Sequence, residues 1–453
     1  MSKISITVAD NTRLVKLPWE ISDKIKARLT LPNPAYESAL HMGRWTGGIE
    51  QTLTFYEQVG TGSLVIPRGF TGQAIRLLGK IPYDLIDRRR SLPVVNFQFT
   101  GQLRDFQARA VADVAKKDFG VLQSPTGSGK TVMALAVIAA RKQPTLIVVH
   151  TRELRNQWID RIAVFLGISK SEIGVIGGGK CIIGDKVTVA IINSLYPVAD
   201  EIKDHFGFLI VDECHRTPSR TFTEAVSAFD CRYLLGLSAT PFRRDGLTKL
   251  IYFSLGDCSH TVSKPELIEN GSVLRAEIIK RQTAFQTWLD PVNEYQAVLS
   301  ELTQSEGRNW QIVNDVRAAV KQGGGVCLVL SDRQAHCLEL ARMLQKTHVE
   351  AVVLSGKTGK KERAAIVERL HAGEIPVLIA TGQLIGEGFD CAGLSYLFLT
   401  TPIKFSGRLL QYIGRVLRPA PGKDRGVIYD YVDVHCGVFE AAARSRARVY
   451  EAA

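Results

Sequence analysis

The sequence predicts an α/β protein with two parallel-sheet lobes in tandem, preceded by a small N-terminal α+β domain. Short, almost wholly apolar runs alternate with helical segments between residues 119 and 237, and the same alternation returns between 325 and 430. Strands of this kind are typical of a parallel sheet that is covered on both faces. The chain has 453 residues, enough for two to four domains. We expect domains at 1–95, 96–258 and 259–453.

Residues 1–95 carry strand signals and many basic side chains. Residues 4–8 alternate as a half-buried strand does, residues 52–56 and 63–67 predict two more strands around a turn at 60–62, and 21–29 predict a short helix. The segment 81–99 reads as a linker. We expect the basic residues of this region to contact nucleic acid, against the alternative of a solvated surface: Lys24, Lys26, Arg28, Arg44, Arg68, Arg76, Arg88, Arg89 and Arg90.

A glycine-rich loop follows the apolar run 119–122 and precedes a helix. Strand, loop and helix in this order are the context of a phosphate-binding loop. Gly127 and Gly129 allow a tight turn that aims backbone N–H groups at phosphate oxygens. Lys130 can reach the terminal phosphates of a nucleotide, and the Thr131 hydroxyl can hold Mg²⁺. The predicted loop residues are Ser124, which stands where the general pattern has glycine, and Pro125, Thr126, Gly127, Ser128, Gly129, Lys130 and Thr131.

A predicted helix that opens at residue 103 precedes this loop. The Gln107 amide can pair with both the donor and the acceptor edge of adenine. Elsewhere it would read as a solvent-facing glutamine. We assign Arg104 and Gln107 to the same nucleotide site.

Two adjacent carboxylates stand where the apolar run 208–211 ends. Ligands bind at the carboxyl ends of parallel strands, so we expect Asp212 to bind Mg²⁺ and Glu213 to orient or deprotonate the attacking water. The next apolar run ends in Ser238-Ala239-Thr240, whose hydroxyls could bond His215 and report the nucleotide state. Arg243 and Arg244 follow, as a nucleic-acid contact or a surface ion pair.

The second α/β half has no phosphate loop but offers arginines. Arg415 and Arg418 are three residues apart, which predicts one helix face. An arginine that faces the γ-phosphate when the lobes close can raise the rate of hydrolysis by roughly 10³–10⁵. The alternative is a salt-bridged helix. The chain ends in a predicted helix over 439–450 with exposed Arg444, Arg446 and Arg448.

Composition limits the class of protein. A net charge of +12 and a pI of about 9.3 favour a polyanionic partner. The eight cysteines form no C-x-x-C pair, which argues against zinc or an iron–sulfur cluster and for reduced thiols. No apolar run is long enough to span a bilayer, and the first residues lack a signal-peptide core. We expect a soluble cytoplasmic protein without a membrane partner.

Taken in order, these motifs resemble those of superfamily 2 helicases over residues 100–435. Within that superfamily the chain looks most like the XPB-type DNA helicases and the UvsW-like phage branch-migration helicases, with Asp212–His215 as a DExH box. The resemblance implies two RecA-like lobes around ATP and Mg²⁺, with a nucleic-acid strand across both, and a catalytic role for His215. It also implies that Glu387 and Asp390 lie near the ribose and the opposing arginines. Backbone contacts, each with a cap or turn residue as the alternative, would come from Thr151, Arg152, Asn193, Ser194, Gly356 and Thr381.

The resemblance further implies a function. We expect ATP hydrolysis coupled to unwinding or branch migration of forked or junction DNA, in DNA repair or recombination, by a monomer in a bacterial or phage-infected cytoplasm. Replication or recombination proteins would be partners. The alternatives are a duplex DNA translocase without strand separation and an RNA helicase. The intact motif residues argue against a non-enzymatic nucleic-acid binder. Deleting residues 1–95 should weaken DNA binding and spare basal ATPase.

Overall fold

The computed structural model describes residues 3–216, 224–239, 247–356, 358–382, 391, 393–403 and 406–451. The chain divides into two compact units, one of residues 1–124 and 129–262 and one of residues 125–128 and 263–453. The strand Cys258–Thr261 pairs in parallel with Phe119–Gln123, so the boundary expected after residue 258 falls inside a strand of the first unit.

A five-stranded sheet forms the N-terminal domain. Its first strand, Ile4–Val8, buries alternate residues, as its sequence alternation predicts. The helices are Trp19–Arg28, Pro34–His41 and Thr71–Leu78. In spatial order the strands are Glu57–Gln58, Leu64–Pro67, Asn11–Val15, Ile4–Val8 and Tyr83–Asp87, and a separate pair is formed by Thr30–Pro32 and Thr52–Thr54.

The linker expected over 81–99 is wrong in its first part. Tyr83–Asp87 is an edge strand that runs parallel to Ile4–Val8, with Ile6 opposite Leu85. Four of its five residues are exposed, two of them aspartates, and the neighbouring arginine run resembles a linker in composition. The strand is therefore determined by pairing with the N-terminus rather than by its own apolar content.

The N-terminal domain shares one hydrophobic core with the first lobe. Leu247, Leu250 and Phe253, from the lobe segment that includes the helix Lys249–Leu255, belong to the same buried cluster as the domain's strands. The Phe253 ring lies 5.9 Å from Phe55 and 5.6 Å from Phe70, the latter edge to face. The backbones of the domain and the lobe also lie close together at Gly69. A Cβ atom added there would lie 2.5 Å from the Gly256 nitrogen.

Several of the basic residues assigned to nucleic acid instead hold this domain to the lobe. Arg90 pairs with Asp230 at 2.9 Å and with Asp204 at 2.6 Å. Arg89 pairs with Asp87 and Asp118 at 2.7 and 2.9 Å.

Two further arginines of the domain also contact the lobe. Arg68 is 3% exposed and donates to the Cys231 carbonyl at 3.1 Å, and Arg76 pairs with Asp257. For these four arginines the nucleic-acid contact stays a prediction, and it would compete with these contacts inside the protein.

The first lobe is built on an eight-stranded sheet within the described residues. Parallel neighbours make up the whole sheet except for one antiparallel edge pair. The larger helices are Asp105–Ala115, Lys130–Arg141 and Arg152–Leu166, and Ile192–Leu195 and Ala199–Ile202 are short. In spatial order the strands are Cys181–Ile182, Gly174–Ile176, Val187–Ile191, Thr145–Val149, Phe208–Val211, Tyr233–Ser238, Phe119–Gln123 and Cys258–Thr261.

The second lobe has a six-stranded sheet whose described pairs are all parallel. Its central strands are wholly buried, as their apolar runs predict. The strands in spatial order are Arg275–Gln282, Arg425–Val432, Leu394–Leu399, Val326–Ser331, Val377–Thr381 and Ala351–Leu354. The helices are Lys264–Glu269, Tyr295–Gln304, Glu306–Gln322, Gln334–Lys346, Lys360–His371, Ser406–Val416 and Gly437–Glu451. The α/β class with two tandem parallel sheets and a small N-terminal domain is thus confirmed.

The last helix differs from its prediction at one arginine. Arg444 and Arg448 are exposed, but Arg446 is 2% exposed and pairs with Asp430 at 2.7 Å. Tyr450 donates to the other Asp430 oxygen at 2.8 Å. Arg446 therefore fixes the helix to the sheet.

In the part of the chain that the structure describes, no helix combines the length and the apolar character that crossing a membrane requires.

Candidate functional site

The predicted motor residues of the first lobe converge because they follow neighbouring parallel strands. The strands that end at Val211, Ser238 and Gln123 are adjacent, and their carboxyl ends therefore share one edge of the sheet. Asp212 and Glu213 follow the first, Ser238 closes the second, and the glycine-rich loop follows the third. Sequence order alone does not reveal this adjacency, because more than a hundred residues separate the loop from Ser238 along the chain.

The glycine-rich loop turns between strand and helix in the manner its glycines require. Gly127 and Gly129 have φ values of 91° and 84°, a left-handed region that favours glycine. The Ser124 N–H donates to the Ser238 carbonyl at 2.9 Å, which ties the loop to the neighbouring strand. Lys130 begins the helix and its Nζ donates to the Ser124 carbonyl at 3.0 Å. Thr131 lies in the first turn, where the N–H groups and the helix dipole favour an anion.

Gln107 lies against this loop rather than in solvent. Its side chain is 8% exposed, and a Cβ atom at Gly129 would lie 2.5 Å from Gln107 Nε2. The Arg104 N–H donates to Gln107 Oε1 at 3.0 Å, which fixes the amide at the start of the helix Asp105–Ala115. The structure therefore brings Gln107 against the glycine-rich loop, the position expected of the predicted adenine reader, with Arg104 at the start of the same helix.

Asp212 is a buried carboxylate held by two hydrogen bonds. The Glu213 N–H donates to Oδ1 at 2.9 Å, and the Trp158 indole Nε1–H donates to Oδ2 at 2.8 Å. Burial, reinforced by the Glu213 charge, raises the pKa of Asp212 to about 6, against the opposing effects of Trp158 and Lys130. A cation beside this carboxylate would relieve that cost.

Glu213 and His215 form a second pair at the same strand end. Glu213 has a φ of 48°, uncommon for a residue with a side chain, and strain of this kind clusters at functional sites. His215 Nδ1 lies 3.3 Å from Glu213 Oε2 and 3.0 Å from Ser238 Oγ. The predicted hydrogen bond between His215 and the serine-containing strand end is present.

The donor set fits Mg²⁺. Oxygen ligands from a carboxylate and a hydroxyl, together with substrate phosphates, are what this ion prefers. Asp212 supplies the carboxylate and Thr131 the hydroxyl, both at the sheet edge that carries the phosphate loop. Asp212 is buried beside the Glu213 carboxylate, so a cation bound there would offset the cost of its negative charge.

The nucleic-acid candidates of this lobe follow the next strands along the sheet. Thr151 and Arg152 follow Thr145–Val149, and Asn193 and Ser194 follow its neighbour Val187–Ile191. Arg152 and Asn193 are exposed, and Thr151 and Ser194 are half-buried. Thr151 Oγ1 accepts from the Leu154 N–H at 3.2 Å, so the helix-cap alternative is present for this residue. In the sheet order, the strands that end at Val211 and Ser238 therefore lie between these residues and the phosphate loop.

In the second lobe, the candidate backbone contacts also lie at adjacent strand ends. Thr381 is the last residue of Val377–Thr381, and Gly356 follows the neighbouring strand Ala351–Leu354. The Tyr412 hydroxyl donates to the Gly382 carbonyl at 2.6 Å, which ties this edge to the helix Ser406–Val416.

Arg415 and Arg418 do not share a helix face. Arg415 lies in the last turn of the helix, which ends at Val416, and Arg418 follows in the turn beyond it. Both are half-buried. The segment is held by the Leu274 N–H, which donates to the Leu417 carbonyl at 2.8 Å, and by Lys423 Nζ, which donates to the Arg418 carbonyl at 2.9 Å. Burial lowers the pKa of Lys423 to about 8.

Five predicted residues lie outside the described part of the chain: Thr240, Arg243, Arg244, Glu387 and Asp390.

Sequence reasoning missed two features of this edge. Trp158 binds Asp212, but nothing in the sequence separates it from an ordinary core tryptophan. The run Gly177-Gly178-Gly179, with three positive φ values, follows the strand Gly174–Ile176 beside the Asn193 strand, and the Gly177 carbonyl accepts from Arg155 Nη1 at 3.1 Å. The triple glycine was a visible signal for this loop.

Comparison with known proteins identifies two domains. Residues 100–243 match the type III restriction enzyme res subunit family, and residues 311–420 match the helicase conserved C-terminal domain. Together these matches span both lobes.

Two relatives and two solved structures are similar along most of the chain. The DNA 3'-5' translocase XPB2 of Sulfurisphaera tokodaii is 29% identical over 72% of this chain and 81% of its own. L396 of Acanthamoeba polyphaga mimivirus, named as a candidate ATP-dependent RNA helicase, is 28% identical over 79% of this chain and 69% of its own.

The Pyrococcus furiosus Hef helicase domain has the same fold, with a TM-score of 0.52 and 14% identity over 76% of this chain and 98% of its own. T4 UvsW aligns over 99% of this chain and 97% of its own at 16% identity, with a TM-score of 0.44. With both helicase domains matched in order and the motif residues at the expected strand ends, the chain belongs to the superfamily 2 helicases and is an ATP-dependent helicase similar to the XPB type.

Proposed function

We propose that this helicase couples hydrolysis of ATP, bound with Mg²⁺, to unwinding or branch migration of forked or junction DNA. The observation that carries the proposal is the strand order of the first lobe. It sets the phosphate loop, Ser238 and the Asp212–Glu213 pair at the ends of three consecutive strands, and the exposed Arg152 and Asn193 after the next two. The proposed fuel site and the candidate backbone contacts of this lobe therefore lie along one edge of the same sheet.

The hydrolytic roles follow from chemistry at this edge. The backbone N–H groups of the loop and Lys130 bind the phosphates, and Gln107 reads the adenine. Glu213 accepts the proton of the attacking water, and His215 with Ser238 holds its side chain in place. When bound at Asp212 and Thr131, Mg²⁺ neutralises charge on the phosphate oxygens. Arg415 and Arg418 keep the role that the sequence predicts, which is to stabilise charge on the terminal phosphate.

DNA is the substrate that the charge and the relatives favour. A net charge of +12 suits any nucleic acid, and XPB2 is named a DNA translocase. The competing candidate is RNA, because L396 is named with RNA, and contacts to the sugar–phosphate backbone carry no sequence information directly. A duplex translocase without strand separation uses the same hydrolytic residues.

One substrate set separates these functions. Four-way junctions, tailed duplexes and blunt duplexes of the same sequence are prepared in DNA and in RNA, and unwinding and ATPase are measured on each. We expect DNA junctions to be unwound fastest. ATPase stimulated by blunt duplex without strand separation would favour the translocase, and preferential RNA unwinding would favour the RNA helicase.

Two variants test the assignment of the fuel site. Lys130→Ala is expected to abolish hydrolysis, and Glu213→Gln to lower the turnover number by about 10²–10⁴ by removing the base. Arg109→Gln, on the helix Asp105–Ala115 and outside the proposed catalytic set, serves as the control. Full DNA-stimulated turnover in Glu213→Gln would refute the role of this carboxylate.

A further inference from the structure

The hydrogen bond from Trp158 to Asp212 has no part in the hydrolytic roles proposed above. Trp158 is 2% exposed, and its only polar atom, the indole N–H, is directed at Asp212 Oδ2. The indole N–H of a buried tryptophan needs one hydrogen-bond acceptor, and a backbone carbonyl can usually supply it. Here the acceptor is the carboxylate proposed to hold the cation.

The helix that carries Trp158 gives it a fixed position. Trp158, Ile162 and Leu166 are the buried residues of Arg152–Leu166, and their four-residue spacing places them in one stripe against the sheet. The Trp158 ring thereby enters the core next to the strand end at Val211. Its rotamer is set by packing, so the direction of the N–H is also set.

The Glu213 and Trp158 N–H groups each donate to a different oxygen of the Asp212 carboxylate. The Glu213 N–H occupies one lone pair of Oδ1, and the Trp158 N–H one lone pair of Oδ2. Each oxygen retains further acceptor capacity, which is directed away from its donor. With one contact on each oxygen, rotation of the carboxylate about its Cβ–Cγ bond is opposed on both sides.

We propose that Trp158 is a positioning residue, whose indole N–H holds Asp212 in the orientation that binds the divalent cation of the nucleotide complex. This rests on the proposed function of Asp212. Without the donor, Oδ2 loses a buried hydrogen bond and the carboxylate can turn. Mutation of a residue that positions a metal-binding carboxylate in this way typically lowers metal affinity or activity by about 10–100-fold.

The test measures binding rather than turnover. A fluorescent ADP analogue is titrated into full-length protein in EDTA, and Mg²⁺ is then titrated into the complex. Trp158→Phe removes the N–H but keeps an aromatic ring. Replacement of Trp158 by 3-benzothienylalanine, which has sulfur in place of the N–H, keeps the ring shape as well. Ile162→Val, one turn along the buried stripe and without a polar atom, is the matched packing control.

We expect both Trp158 variants to require about 10–100-fold more Mg²⁺, with nucleotide affinity in EDTA unchanged. Ile162→Val should match the wild type in both titrations. If Trp158→Phe does not fold, the benzothienyl variant decides the question.

Two results would overturn the proposal. One is an unaltered Mg²⁺ requirement in the benzothienyl variant, and the other is an equal shift in Ile162→Val, which would trace the effect to packing. Either would leave the assignment of Asp212 intact. If Asp212→Asn itself left the Mg²⁺ requirement unchanged, the proposed function of Asp212 would fail instead.

Discussion

Phe253 connects the N-terminal domain to the first lobe, and its replacement by alanine should be costly. The side chain is 4% exposed, and its ring contacts Phe55 and Phe70 across the shared core. Removing a buried phenylalanine typically costs about 3–5 kcal/mol. Domains are stable by only about 5–15 kcal/mol, so we expect a large loss of stability.

The assay is urea unfolding of the full chain, followed by limited proteolysis between the domain and the lobe. Phe165→Ala is the matched control, because Phe165 is half-buried and stacks on Phe99 at 6.3 Å on the same unit. We expect Phe253→Ala to lower the unfolding midpoint well below that of Phe165→Ala and to expose the segment near residue 95 to protease. Equal midpoints for the two variants would show that the shared core does not join the domain to the lobe.

The same reasoning changes the expected effect of deleting residues 1–95. The sequence predicts weaker DNA binding with basal ATPase spared. In the structure, the deletion would expose Leu247, Leu250 and Phe253, each worth about 1.5–3 kcal/mol when buried. It would also leave Asp230 without Arg90. We now expect the truncated chain to lose its fold together with its ATPase, and a stable, active fragment on circular dichroism and ATPase assays would contradict this.

Two further predictions concern the separate lobes. Burial, with a smaller effect of Arg308, lowers the pKa of His336 from 6.5 to about 3. The neutral imidazole therefore contributes to the stability of the fold above pH 6.5. This contribution is lost as the pH falls toward 3, by about 1.4 kcal/mol per pH unit. His336→Gln should flatten the pH dependence of the thermal midpoint between 6.5 and 5, and an unchanged slope would contradict it. Gly129→Ala should weaken nucleotide binding at least tenfold in fluorescence titration, because φ is 84° and the new Cβ would contact Gln107; wild-type affinity would contradict the assigned geometry.

The residues of the proposed fuel site could be singled out from the sequence because their signals are local. The glycine positions, Lys130 and Thr131 are adjacent in the chain, and their strand-to-helix context is visible in the apolar runs. Asp212 and Glu213 were found by the same logic, since a carboxylate after a buried strand lies at the ligand-binding edge. The parallel sheets followed from continuous apolar strands, whose burial on both faces leaves few other arrangements.

Contacts between distant segments were decided by the tertiary structure alone. Tyr83–Asp87 is a strand because Ile4–Val8 pairs with it, and its own composition resembles a linker. Arg89 and Arg90 have the charge expected of a DNA contact, but Arg90 pairs with Asp230, 140 residues away, and Arg89 with Asp87, at a separation of 2 residues. Trp158 carries no sequence signal, because a core tryptophan and one that orients a carboxylate differ only in what lies 2.8 Å from the indole nitrogen. Local patterns encode the elements and the loop chemistry, whereas the pairing of charges and the sharing of cores depend on which surfaces folding brings together.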